Sequence, residues 1–227
     1  MTVLLGETDR WLFLNKPAGL SVFPLHNHPD SDCLLARLRL AMPQQHRSDW
    51  PRGFEGGIAH RLDIPTSGLV IAARTPDDLS VLRTWFSLRR LTKTYQLLTA
   101  RDVAWDSREL SVEIGHDKRR KKRMIVRRGK NTPHRGRWYS AQTAFRRLGR
   151  CGPLWCWEAI MHTGVTHQIR AHAGFAGLAL VGDRLYGGGD TPAPFPVPFA
   201  LHHVQLTGPG IRPPSAPLPD WWPAPSP

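Results

Sequence analysis

The chain has 227 residues, 41% of them hydrophobic, and its 31 Lys and Arg outnumber 18 Asp and Glu to give a formal charge of +13. That apolar share supports a packed core and excludes a disordered polyelectrolyte, and the length suits one large domain or two small lobes. The charge calls for a polyanionic partner, nucleic acid ahead of an anionic membrane surface, because no basic amphipathic helix is evident.

No apolar run approaches the roughly 20 residues of a membrane-spanning helix. The start, MTVLLGETDRW, lacks the basic then apolar pattern of a signal peptide, so a cytoplasmic protein is expected. Cys33, Cys151 and Cys156 are odd in number and lack CxxC spacing, which argues against both a disulfide framework and a zinc site. Cys33 is expected inside a helix core.

In chain order, Trp11–Leu14 reads as a buried strand stopped by the turn NKPAG at 15–19. Asp30 or Ser31 is placed to cap a helix running to about Met42, with Leu34, Leu35, Leu38 and Met42 near helical spacing and Pro43 ending it. Residues 44–57 read as a surface loop, and Leu69–Ala73 as a strand. Thr75, Pro76 and Asp78 then form a helix start, followed by Leu79, Leu82, Trp85, Phe86 and Arg89 on one face. Lys93–Leu98 reads as a strand that puts Tyr95 and Leu97 on one face. Trp157–Met161, Leu178–Val181 and Ala141–Phe145 are further strand candidates, and Val165–Ala173 a short helix. The chain turns Pro-rich from Thr191 (Pro192, Pro194, Pro196, Pro198), is interrupted by the apolar piece Phe199–Leu206, and ends with seven prolines and two tryptophans in its last 15 residues. An extended tail over 211–227 is expected, after one domain over 1–210. Strands and helices mix without regular βαβ alternation, which favours an α+β fold.

Two segments carry chemistry. The first is HRLDIPTSG, residues 60–68, which sets Asp63 between a basic dipeptide and an apolar run. By itself Asp63 either caps a turn, pairs with Arg61 or does chemistry. The second is His116–Arg137, which holds 11 of the 31 Lys and Arg and one acid. The apolar Met124–Val126 in its middle makes it a basic hairpin whose Lys118, Arg119, Arg120, Lys121, Lys122 and Arg123 are placed to contact phosphates. Tyr95 read alone is equally a core tyrosine, and Arg170 a surface charge. The histidines complete no spaced metal-ligand set, so no metal site is expected. No GxxxxGK[ST] run is present, so no nucleotide cofactor is expected either.

NKPAGLSVFP (15–24), HRLDIPTSGLVIAAR (60–74), KTYQLL (93–98) and HTGVTHQIRAHAGFAGLALVGDRLYGG (162–188) together resemble the RluA-type pseudouridine synthases, which isomerise uridine in ribosomal or transfer RNA. The resemblance covers about residues 11–206. It implies an α+β enzyme with a mixed, largely antiparallel central sheet, flanking helices and two lobes around a cleft. It also implies that Asp63 is the catalytic aspartate, that Arg61 enters the RNA stack as the uridine leaves, that Tyr95 stacks near the flipped base, and that Arg170 pairs with the aspartate. Asp63, Tyr95 and Arg170 are then expected to converge. His60, Thr66, His167 and Gln168 are expected on the RNA side, with His60 and His167 orienting loops by hydrogen bonds.

The implied partner is structured RNA, bound by a monomer without metal or organic cofactor. A non-catalytic RNA-binding or RNA-folding protein on the same scaffold is the alternative. Two departures stand out. Val165 occupies a position where the family usually has arginine, and Asn131–Ser140 is longer and more basic than usual. The stretch before Trp11 is too short for the N-terminal RNA-binding domain of many relatives, so affinity is expected to come from the catalytic domain.

Overall fold

The structure, a computed structural model, describes residues 3–190 and 196–224. Pro192 and Pro194 of the expected Pro-rich segment, and Pro225 and Pro227 of the tail, lie outside the described residues.

The chain folds as α+β with mostly antiparallel strands and few helices. Its first elements are β1 (Leu4–Glu7), β2 (Trp11–Lys16), α1 (Leu34–Ala41), β3 (Ser67–Ala73), α2 (Pro76–Ser87) and β4 (Thr92–Thr99). There follow β5 (Ser107–Ser111), β6 (Ile114–Asp117), β7 (Met124–Val126), β8 (His134–Tyr139), β9 (Gln142–Cys151), β10 (Leu154–Met161), α3 (Gln168–Phe175) and β11 (Leu201–Thr207). They form two compact units, Met1–Lys93 with His202–Asp220, and Thr94–Leu201 with Trp221–Pro227.

In the first unit β2 pairs antiparallel with β1 and β3, and β11 pairs parallel with β3, His202 opposite Ser67 and His203 opposite Gly68. All seven residues of β3 are buried, as expected of a strand covered on both faces. The core joins Trp11, Phe13, Leu69 and Ile71 to Leu79 and Leu82 of α2 and Leu206 of β11. Gly68 is obligatory, since its φ is +111° and a Cβ there would lie 2.2 Å from the His203 oxygen. The strand after the Asp63 turn is thereby seated against β11. Ile211 and Ala216 from the expected tail enter this same core.

The second unit holds β4, β10, β9 and β5 in that order, with β9 antiparallel to both β10 and β5. Beside them β6 pairs antiparallel with β7 and β8. One face of this three-stranded sheet, through Ile114, Met124 and Val126, packs with Ala171 of α3 and with Tyr186.

Several elements depart from the sequence reading. α1 starts at Leu34, because the Cys33 sulfur accepts from the Ala36 N–H and takes the cap expected of Asp30 or Ser31. Cys33 is accordingly a buried cap and not a residue within the helix. Residues 44–57 are only partly a surface loop. Gln45 and Trp50 are buried, and the Trp50 indole donates to the Gln45 oxygen at 3.1 Å. α2 ends at Ser87, and Arg89 turns left-handed at φ 56° outside it. Leu178–Val181 is buried but is no strand, being bracketed by Gly177 and Gly182 at φ near 80° and held by single contacts such as Val181 N–H to the Leu98 oxygen. α3 begins at Gln168, three residues later than expected, because His167 sits in the left-handed region at φ 55°.

Candidate active site

The sequence candidates divide between the units. His60, Arg61, Asp63 and Thr66 belong to the first, and Tyr95, the basic hairpin, His167, Gln168 and Arg170 to the second.

Asp63 opens a tight turn, its carbonyl accepting from the Thr66 N–H at 3.0 Å, with Ile64 and Pro65 at the corners. The turn is anchored from below. Lys16, at the end of β2, is fully buried, and its Nζ donates to the main-chain oxygens of Leu20 at 2.7 Å, Pro17 at 3.0 Å and Ile64 at 3.1 Å. The Gly19 N–H donates to the same Ile64 oxygen at 2.9 Å. The NKPAG turn and the Asp63 turn are thus pinned together through one carbonyl. Burial pulls the Lys16 ammonium down to about 7, and the Asp63 charge works against that fall. Lys16 is a contributor that the sequence reading passed over. The available signal was a lysine placed directly before a proline turn at the end of an apolar run.

Asp63 itself is half-buried, whereas Arg61 is exposed and Thr66 is 2% exposed. His60 has its ring against Phe86 and His203, and its Nε2 accepts from the Ile71 N–H at 3.2 Å. Burial first, then the neighbouring His203 and Lys93 charges, hold it well below the usual histidine range. It is a neutral ring that fixes β3. The seat is extended by His202, whose Nε2 donates to the Ala216 oxygen at 3.2 Å, leaving Nδ1 to accept from the Ser67 hydroxyl at 2.8 Å.

In the second unit Tyr95 is buried on β4 with Leu97, on the face read from period-two alternation. Arg170 projects from α3 into a bidentate pair with Asp183, Nε to Oδ2 at 2.6 Å and a terminal nitrogen to Oδ1 at 3.0 Å. Its guanidinium lies 4.3 Å from the Phe199 ring centroid and 5.1 Å from that of Tyr186. Asp183 is 2% exposed. Nothing in the sequence joins it to Arg170, yet it holds the arginine's orientation.

The start of α3 is held by further side chains. Gln168 is 2% exposed and bonds to Thr163 at 2.8 Å, to the Val165 N–H at 3.1 Å and to the Gln142 oxygen at 2.9 Å. The His167 Nδ1 meets the Tyr186 hydroxyl at 2.9 Å. The hydroxyl in turn accepts from the Met124 N–H at 2.9 Å, which ties α3 to the basic hairpin.

In that hairpin Lys118 to Lys122 are all exposed, and Arg123 is half-buried. Asp117, 4% exposed, accepts from the Arg119 N–H at 2.8 Å and pairs with Arg123 at 3.4 Å, while Arg135 donates to the Lys121 oxygen at 2.7 Å. The loop is therefore a shaped cationic surface and not a free tail. No group of three or more His, Cys, Asp or Glu among the described residues is arranged to hold a metal. No helix among them is long and apolar enough to cross a membrane.

Residues 10–174 match the RNA pseudouridylate synthase family profile. An uncharacterized RNA pseudouridine synthase of Chloroflexus aurantiacus is 37% identical over 177 residues, covering 76% of this chain and 51% of that protein. The ribosomal large subunit pseudouridine synthase D of Pseudomonas aeruginosa is 32% identical over 183 residues, 80% of this chain and 52% of that one. The chain thus spans about half the length of these relatives. The solved structure of human RNA Pseudouridylate Synthase Domain Containing 1 superposes with a TM-score of 0.72 at 23% identity, over 91% of this chain and 78% of that one, a likeness of fold. The turn that carries Asp63 and the α3 segment that carries Arg170 both fall within the matched residues, and the chain belongs to the RNA pseudouridylate synthase family.

Proposed function

We propose that the protein converts uridine to pseudouridine in structured RNA, ribosomal or transfer RNA, as a cytoplasmic monomer. The observation that carries this reading is the Asp63 turn. It presents a half-buried carboxylate beside an exposed arginine and is locked from below by Lys16. Such support is what a group needs to hold one position against a reacting sugar or base.

In this reading Asp63 is the catalytic carboxylate. The reaction breaks the bond from the ribose anomeric carbon to uracil N1, turns the base, and joins the same carbon to C5, whose proton is lost to solvent while N1 gains one. Atoms and electrons balance within the nucleotide, so neither an electron acceptor nor an external water is consumed. A carboxylate so placed can attack the anomeric carbon, attack the ring or remove a ribose proton. Tyr95 packs against the displaced base, and Arg170 pairs with Asp63, its plane kept in place by Asp183. Taking the uridine out of its stack costs a few kcal/mol, which Arg61 offsets by filling the gap. Thr66, Gln168 and His60, with interior bonds, act by holding these groups, and the hairpin supplies phosphate contacts.

The pairing of two further acids with arginines favours this over a base-removing glycosylase, which needs a carboxylate to activate water. Asp183 is committed to Arg170, and Glu158 to Arg146 at 3.0 Å. Asp63→Asn separates the enzyme from a non-catalytic RNA-binding protein. Turnover is expected to vanish with RNA affinity within a few-fold of wild type, and strong residual turnover defeats the assignment.

A further inference from the structure

The second unit contains a cavity of about 600 Å³ between the basic hairpin and α3, lined by Arg123, Met124, Arg128, Asn131, Phe175 and Tyr186 among others. None of the roles given above to Asp63, Tyr95 or Arg170 uses it. It exists because α3 turns small residues, Ala171 and Gly174, toward the hairpin. Gly174 has no room to be larger, since a Cβ there would lie 2.8 Å from the Tyr186 oxygen.

Its chemistry is specific. The walls combine aromatic rings with guanidinium groups, Arg123 at 5.7 Å from the Tyr186 centroid and Arg128 at 5.7 Å from that of Phe175. No acidic side chain among the described residues lines it. The Arg123 Nε is buried and meets no acceptor among the described residues, a donor left over after the long 3.4 Å pairing with Asp117. An unmatched buried donor is costly until an acceptor arrives. Exposed Arg128 and the amide of exposed Asn131 stand at the rim. A ligand that suits all of this is anionic, carries a flat ring for Phe175, and offers oxygens to two guanidinium groups. The volume lies within the range of pockets that enclose small ligands.

We propose that this cavity takes one unstacked nucleotide of the RNA strand, its base against Phe175 and its phosphate on Arg123 and Arg128. It is a subsite separate from the uridine on which Asp63 acts, and it rests on the RNA-binding part of the reading above. A strand and not a free nucleotide is the occupant because the same hairpin continues into the exposed row Lys118–Lys122, which carries the backbone onward. Splayed bases stacked on aromatic and arginine planes are the usual currency of single-stranded RNA recognition.

The test uses the full chain and two fluorescent single-stranded RNAs of equal length, one with bases and one with abasic riboses, beside uridine and adenosine monophosphates. Phe175→Leu keeps the apolar packing and removes the ring. It is expected to weaken the base-bearing strand by about five-fold or more and to leave the abasic strand unchanged, with Phe175→Trp restoring the difference. Arg128→Gln, at an exposed position that folding does not depend on, is expected to weaken both strands and to lower the salt slope by about one. Equal binding of both strands by wild type and by both variants overturns the proposal. So does binding of a monophosphate as tight as that of the strand, which would make this a small-molecule site. Carbon-5 tritium release, measured in parallel, keeps the two readings apart. Variant effects on binding without wild-type release support the cavity and remove the isomerase, and release with unaltered variant binding does the reverse.

Discussion

The Nζ of Lys16 donates to the main-chain oxygen of Ile64 at 3.1 Å, one residue beyond Asp63. A buried cation at the end of one strand therefore sets the height of the turn that carries the carboxylate. Lys16→Met removes the donor to three carbonyls, of which Ile64 keeps the Gly19 N–H, and is expected to cost about 2–6 kcal/mol, since each of the two buried acceptors left unmatched costs about 1–3. The loss should depend on pH. Folded Lys16 gives up its proton near 7, while in the unfolded chain it keeps it to about 10.4. Between those values the unfolded state binds more protons, so the wild-type contribution rises with pH. Urea midpoints of wild type and Lys16→Met at pH 7 and pH 9 check this, and a gap that narrows with pH contradicts it.

Arg170 and Asp183 form a buried bidentate pair. Asp183→Asn removes the bidentate carboxylate from the buried guanidinium and is expected to destabilise by about 3–5 kcal/mol. Adding Arg170→Met to an Asp183→Leu background should return much of that stability, because an apolar pair avoids the desolvation cost. A double-mutant cycle by denaturant unfolding measures the coupling. Additive losses would show that the pair does not act as a unit.

Much of the scaffold around these pairs is legible in the sequence. α2 was readable because Thr75 caps by accepting from the Asp78 N–H, Pro76 takes the first turn, and Leu79 and Leu82 face the core. β2 and β3 were readable from apolar runs, and β4 from the alternation that puts Tyr95 and Leu97 on one face. β11 was less so, because its two central histidines look polar until their interior hydrogen bonds to Ser67, Ala216 and Leu69 are seen. β6 and β8 carry sequences such as GHD and HRGR, whose strand character comes from pairing, β6 with β7 and β8 with β6, and not from composition. In the site, Asp63 and Arg170 were named from their motifs. Lys16 was not singled out and Asp183 was not joined to Arg170, since their roles depend on burial and on partners 48 and 13 residues away.

The histidine seat beneath β3 should make the protein acid-labile. Burial lowers His202 to about 4 and His203 to about 3, against about 6.5 in an unfolded chain. Between those values the unfolded state takes up protons that the folded state refuses, so stability is full above pH 6.5 and falls as pH drops through 6 to 4. Each such histidine contributes a slope of about 1.4 kcal/mol per pH unit in that window. His202→Gln should flatten the profile between pH 6 and 4.5 in urea titrations. An unchanged slope would show that His202 does not set it.

The exposed row Lys118–Lys122 is expected to act on affinity and not on chemistry. Replacing all five by Gln, with Arg123 retained for its pairing with Asp117, should weaken RNA binding and reduce the salt slope by about two units or more, at about 0.7–0.9 for each phosphate that is no longer neutralised. Turnover at saturating RNA should change little. Anisotropy titrations at several salt concentrations provide the check, and an unaltered slope removes the hairpin from the interface.

The most direct measurement of the central claim is release of tritium from carbon 5 of uridine. Purified protein is incubated with carbon-5-tritiated total RNA from cells lacking this gene, beside the Asp63→Asn variant. Wild type is expected to release tritium, and the variant none above background. Equal release from both, or none from a wild type that binds the RNA tightly, would contradict the assignment of Asp63 as the catalytic carboxylate of an RNA uridine isomerase.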